Sequence, residues 1–275
     1  MKLLPKLLAS LFIATASMAA NAAVITVSQS ALVASTGYYT DAIGGGIGDI
    51  VVTTGGGHVP NIGQADGRND DGFAGAVNLG FNINLFGISY NSLFINNNGN
   101  VTFGAGLAAF NPVGPTDTSV PIIAPYFGDV DTRPLNSGVM HVRTDIANQI
   151  IVTWDNVGYY SEHEDLLNSF QLVLRGTDYV TPVGEGSIGF YYGNMAWETA
   201  DTHRNQSVVG FGDGLSNGVI LEGSGAPGIA DTLTNHHVWF NERLEPTTVP
   251  EPGSIALFGL GMGALAFARK RRSVK

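Results

Sequence analysis

Apolar and polar residues alternate at period two in one short run after another along this chain, and glycine or asparagine ends each run early. Phe81-Asn82-Ile83-Asn84-Leu85 is the clearest case: Phe81, Ile83 and Leu85 share one face of an extended strand and the asparagines take the other. Leu93-Phe94-Ile95 and Val101-Thr102-Phe103 flank Asn97-Asn98-Gly99-Asn100. Asn-Gly supplies the positive φ values of a type I′ turn, so a β-hairpin is predicted there. The same alternation groups Ile150, Val152 and Trp154; Phe170, Leu172 and Leu174; Ile188, Phe190 and Tyr192; Val209 and Phe211; and Val238 and Phe240. No long amphipathic segment intervenes to carry a parallel crossover. The pattern therefore predicts an all-β fold, an antiparallel β-sandwich with short or no helices in its body.

Such a fold needs many tight turns, and 37 glycines supply them. The chain has no cysteine, which excludes thiol nucleophiles, thiolate zinc sites and disulfide bracing. Stability must come from a core, and about 230 residues suffice to build one. Seven of the 13 basic residues lie in the two ends, leaving six arginines in the body against 22 acidic residues, a net charge of −16. A surface of that sign repels phosphate, so nucleic acid is not an expected partner.

Both ends read as targeting segments. Lys2 and Lys6 precede an apolar stretch over residues 7–16, and Ala20-Asn21-Ala22 forms an A-x-A site with Ala23 as the first mature residue. At the other end stand Val249-Pro250-Glu251-Pro252, an apolar run over 253–268, and the basic cluster Arg269-Lys270-Arg271-Arg272. Sixteen helical residues rise roughly 24 Å, short of a hydrocarbon core about 30 Å thick. The run is thus a marginal apolar helix, suited to a temporary anchor, and its basic end favours the cytoplasmic side. Gly259 and Gly263 add a GxxxG pair of the kind that lets helices approach closely. The order Pro250-Glu251-Pro252, apolar run, basic stop resembles the PEP-CTERM signal of Gram-negative bacteria. That resemblance implies processing by an exosortase-type membrane protease after a transient stay in the inner membrane. An ordinary single-span anchor is the alternative.

The resulting division is a signal peptide at 1–22, a Gly/Ser/Thr-rich extension at 23–65, a β domain at 66–244, a linker at 245–249 and the sorting signal at 250–275. Within the β domain Asn69-Asp70-Asp71-Gly72, the run from Gly80 to Gly87, Asn97-Asn98-Gly99-Asn100-Val101-Thr102-Phe103 and the run from Ile123 to Asp131 follow one another. Val152-Thr153-Trp154, the run from Asn168 to Leu174, Ile188-Gly189-Phe190-Tyr191-Tyr192 and Val209-Gly210-Phe211 complete the series. Over about residues 68–242 this order resembles the nidogen-like domain. The resemblance implies an extracellular module of matrix or adhesion proteins without a catalytic mechanism. One departure is Tyr126-Phe127-Gly128-Asp129, where such domains often place Trp.

Several groups are candidates for chemistry. Asp66, Asn69, Asp70 and Asp71 place hard oxygen ligands around glycine turns, which suits Ca²⁺, although the spacing is not that of an EF-hand. A solvated turn is the plainer reading. Asp129 and Asp131 alternate on an extended segment and can join such a site or pair with Arg133 or Arg143. Glu162, Glu164 and Asp129 are the carboxylates a glycan-processing hydrolase would need in pairs. His236 and His237 would face opposite sides of a strand and cannot chelate one ion together. Tyr159, Tyr160, Tyr191 and Tyr192 serve either in packing or in stacking on sugars. No G-x-S-x-G, H-E-x-x-H or P-loop sequence occurs. The expectation is a secreted, non-enzymatic adhesion or extracellular-matrix protein, associated with polysaccharide or surface proteins at the cell exterior. A glycan-processing hydrolase and a calcium-stabilised structural module are the alternatives.

Overall fold

The computed structural model describes residues 23–55, 65–199 and 205–247. The sites at Ala20 and Ala22, the elements Pro250, Glu251, Pro252 and Arg269, Lys270, Arg271, Arg272, and the apolar C-terminal run lie outside the described residues. Among the described residues no helix is long and apolar enough to cross a membrane.

The N-terminal part contributes β1 (Ala23–Val27), β2 (Val33–Ala34), α1 (Tyr39–Ile43) and β3 (Asp49–Ile50). Next come β4 (Phe73–Leu85), β5 (Ile88–Asn96), β6 (Asn100–Thr102), β7 (Ile122–Phe127), β8 (Val130–Asp131) and β9 (Met140–Arg143). The long pair β10 (Gln149–Tyr159) and β11 (His163–Arg175) is followed by β12 (Ile188–Tyr192), β13 (Val208–Gly212) and β14 (Asn217–Leu221). A one-turn helix, α2 (Ile229–Leu233), and β15 (His236–Phe240) close the domain.

These strands form two sheets, ordered β1-β14-β13-β7-β6-β5-β4 and β2-β15-β12-β11-β10-β9-β3, with β8 paired to β10. The fold is all-β, and the two α-helices among the described residues are short, as the alternation predicts. The first sheet is mixed rather than purely antiparallel, because β1 runs parallel to β14. Parallel neighbours need a long connection, and residues 28–216 separate these two.

Between the sheets lies the main core, where Ile83, Leu85, Trp154, Phe170, Leu172, Phe190 and Phe211 are buried. Trp154 stacks on Phe170 with ring centroids 5.1 Å apart. The second sheet is also covered on its outer face, by a smaller cluster of Tyr39, Ile151, Val173, Tyr191 and Trp239. Tyr39 comes from α1, and Gln171 reaches across to Thr40 and Thr153 with its amide. Covered faces on both sides explain the unbroken apolar run Ile150-Ile151-Val152, which half-buried strands do not show.

The β5–β6 hairpin forms where the sequence predicts it, but its loop holds three residues, Asn97 to Gly99, because Asn96 pairs with Asn100. Of the three only Gly99 has positive φ, so the turn is not type I′. A Cβ on Gly99 would lie 1.8 Å from the Tyr126 carbonyl oxygen, which makes glycine obligatory there.

Candidate functional site

The three-residue hairpin loop faces two other segments at one end of the sandwich. One is the run Asn69-Asp70-Asp71-Gly72 leading into β4; the other is the β7–β8 connection carrying Asp129. Asp70 and Asp131 form an isolated antiparallel bridge. Asn69 N–H donates to Thr132 Oγ1 at 2.9 Å, and Asn69 Nδ2 to Thr53 Oγ1 at 2.9 Å. These bonds pull the run inside. Asn69 and Asp71 are 6% exposed, Asp129 2% and Asp70 0%. The solvated-turn reading is therefore wrong for residues 69–71: distant segments cover a stretch that looks like a surface loop.

Carboxylate oxygens of Asp70, Asp71 and Asp129 all lie within 4.8 Å of one another. The asparagines of the hairpin loop tie the segments that carry them together, and Asn98 reaches one carboxylate directly. Asn98 Nδ2 donates to Asp71 Oδ1 at 2.7 Å, and Asn98 Oδ1 accepts from Val130 N–H at 3.0 Å. Asn97 N–H donates to Gly72 O at 2.8 Å, and Asn97 Nδ2 to Val130 O. Trp154 Nε1 donates to the Asn97 carbonyl at 3.1 Å, tying the loop to the core.

The other candidates divide. Asp131 is turned to Arg133, whose Nε donates to Asp131 Oδ1 at 2.9 Å, and it also accepts from Glu162 N–H at 2.9 Å. Arg143 pairs with Asp145 instead. Arg133 Nη2 lies 3.0 Å from Asp70 Oδ2. Asp66 stands apart, largely exposed and 3.6 Å from Arg68. Asn69 Oδ1 accepts from Asp70 N–H and is not turned to the cluster. Asn97 and Asn98 are the participants that sequence reasoning misses, since an Asn-Asn-Gly string reads as turn chemistry alone.

Four buried carboxylates, those of Asp70, Asp71, Asp129 and Asp131, meet here, and the Arg133 guanidinium lies against two of them. Burial, and then the charges of Asp131 and Asp71, push the Asp70 carboxyl up to about 8, against the opposing pull of Arg133. Burial, followed by Asp71 and Asp131, pushes Asp129 up to about 7. Like charges in a low-dielectric setting resist joint ionisation unless a cation joins them. All the acceptors are hard oxygens, which suits an alkaline-earth ion and not a thiophilic one.

Three of the remaining candidates, Glu164, Tyr191 and Tyr192, are engaged in structure. Glu164 accepts from Asn136 N–H and Nδ2 at 2.9 and 2.6 Å. Asp129 is buried, so it does not present an open carboxylate of the kind a glycosidase pair needs. Tyr191 and Tyr192 are buried; Tyr192 donates to Pro125 O at 2.8 Å, and Tyr191 stacks on His237 at 4.7 Å. They pack rather than present rings to sugars.

Comparison with known proteins accounts for most of the chain. Residues 248–272 match the PEP-CTERM protein-sorting motif, which points to export towards the cell surface or the extracellular space through exosortase-type membrane machinery. Alpha-tectorin of Mus musculus is 26% identical over 200 residues, and so is that of Homo sapiens; each match spans 59% of this chain. The chain corresponds to only 9% of the length of those relatives. No solved structure matches the chain. With residues 48–254 matching the NIDO-related family, a span that holds the hairpin loop and all the carboxylates of the cluster, the chain belongs to that family.

Proposed function

We propose that this protein is a non-catalytic adhesion or matrix component of the cell exterior, delivered by its two terminal segments. In this reading the signal peptide is removed after Ala22. The apolar run at 253–268 holds the folded domain transiently at the inner membrane, and an exosortase-type protease acts near Pro250-Glu251-Pro252. The released domain then associates with extracellular polysaccharide or surface proteins. The observation that carries the reading is the pairing of a NIDO-related domain over 48–254 with a sorting motif over 248–272. The nidogen-like resemblance implies the matrix role, and the body's surplus of carboxylates over arginines keeps such a domain soluble.

Incubating the protein recovered from the cell exterior with the producing cells' purified exopolysaccharide and surface proteins tests this. Selective retention on one of these is expected. Recovery of the full-length chain only in the cytoplasm, or no retention on any of them, contradicts it.

A further inference from the structure

We propose that the carboxylates of Asp70, Asp71 and Asp129, with the side-chain oxygen of Asn97, bind one Ca²⁺ ion that joins three segments of the domain. This goes beyond the adhesion reading and does not depend on it.

Three carboxylates gathered within 4.8 Å are the first support. Acidic groups also cluster without an ion, so the second support is Asn97. This side chain is wholly buried, and each of its other polar atoms has a partner: N–H on Gly72, C=O on Trp154, Nδ2 on Val130. Its Oδ1 has no hydrogen-bond donor. Because Gly72 adjoins Asp71 and Val130 adjoins Asp129, the amide is fixed between the two acidic segments. A buried acceptor left without a donor is destabilising, a penalty that a cation removes. The body has no lysine, and the Arg133 guanidinium is shared between Asp131 and Asp70 rather than turned to Asn97.

The chemistry selects calcium. Every ligand is oxygen, which disfavours Zn²⁺ and Cu²⁺. The site is buried, and Mg²⁺ gives up its water reluctantly, whereas Ca²⁺ accepts six to eight protein oxygens in irregular geometry. The ion would connect the run into β4, the β5–β6 loop and the β7–β8 connection, none of which is braced by a disulfide.

The test uses the purified protein, stripped with chelator and then titrated with Ca²⁺, Mg²⁺ or Tb³⁺. At a hundredfold excess over Kd, Ca²⁺ should raise the melting temperature by roughly 5–10 °C. Tb³⁺ should show emission sensitised by tryptophan excitation, since Trp154 bonds the Asn97 carbonyl, and Ca²⁺ should displace it. Asp71→Asn keeps an acceptor for Asn98 and should weaken Ca²⁺ binding by at least roughly 10–100-fold. Asp66→Asn, outside the cluster, should leave the response intact. The assignment is overturned by a melting temperature indifferent to Ca²⁺ together with no sensitised emission. It is equally overturned by an equal response to Mg²⁺, or by a response that Asp71→Asn leaves unchanged. The unsubstituted protein alone decides between binding and no binding, whatever the variants do to folding.

Discussion

Two carboxylate sites in this domain show opposite solutions to placing negative charge in a β-sandwich. In the turn between β13 and β14, Asp213 Oδ1 accepts from the N–H groups of Leu215, Ser216 and Asn217 at 2.9, 2.8 and 2.9 Å. Asn217 Nδ2 adds a bond to Oδ2 at 2.6 Å. Partial burial works against ionisation there, but the backbone donors outweigh it and hold the carboxyl well below its usual range. At the other site Asp70 and Asp129 meet further carboxylates and are pushed up to about 8 and about 7. The turn supplies its charge with local dipoles. The cluster is assembled from segments far apart in sequence, and Arg133 answers its charge only at Asp70 and Asp131 among the contacts described.

Substitutions at the two sites should differ in sign as well as size. The largest effect is expected from Arg133→Gln. It removes the guanidinium that answers Asp131 and Asp70 and leaves buried charge uncompensated, so stability in chelator should fall by roughly 3 kcal/mol. Urea unfolding measures this, and a loss within error would mean the cluster is neutralised in another way. Asp213→Ala should cost about 2 kcal/mol, since three N–H groups lose their acceptor.

The pH dependence of that second difference carries a sign. The folded pKa of Asp213 is depressed from the ordinary value of 3.8, so its contribution is fully present above that value. It is lost as pH falls towards the depressed folded value, and the gap between Asp213→Ala and the unsubstituted protein should close below about pH 4. A gap that widens in acid would break the comparison. The smallest effect should have the opposite sign: Asp129→Asn relieves repulsion and is expected to stabilise the chelated protein by about 1 kcal/mol while abolishing the gain from Ca²⁺. Paired melts with and without the ion report both.

Much of the fold was legible because period-two alternation is a local signal. Ile83 and Leu85, the Ile150, Val152 and Trp154 face, and the Phe170, Leu172 and Leu174 face all enter the core as their spacing predicts. Contacts that depend on distant partners were not legible. Nothing around Ala23–Val27 indicates a parallel pairing with β14, and nothing near Tyr39 indicates that it caps the outer face of the second sheet. The acidic site is intermediate. Aspartates at 70, 71 and 129 stand out as oxygen donors, but their burial comes from Thr53, Thr132 and the Asn97-Asn98 loop, which local pattern reads as turn residues. Asp66 and Asp131 share the sequence signature of the site, yet the fold directs them to arginines.

The most direct test of the central claim is a crystal structure of the protein grown with Ca²⁺ after chelator treatment. An ion about 2.3–2.6 Å from oxygens of Asp70, Asp71, Asp129 and Asn97 is the predicted result. A cluster filled by water or by the Arg133 guanidinium, with calcium present in the crystal, would contradict it.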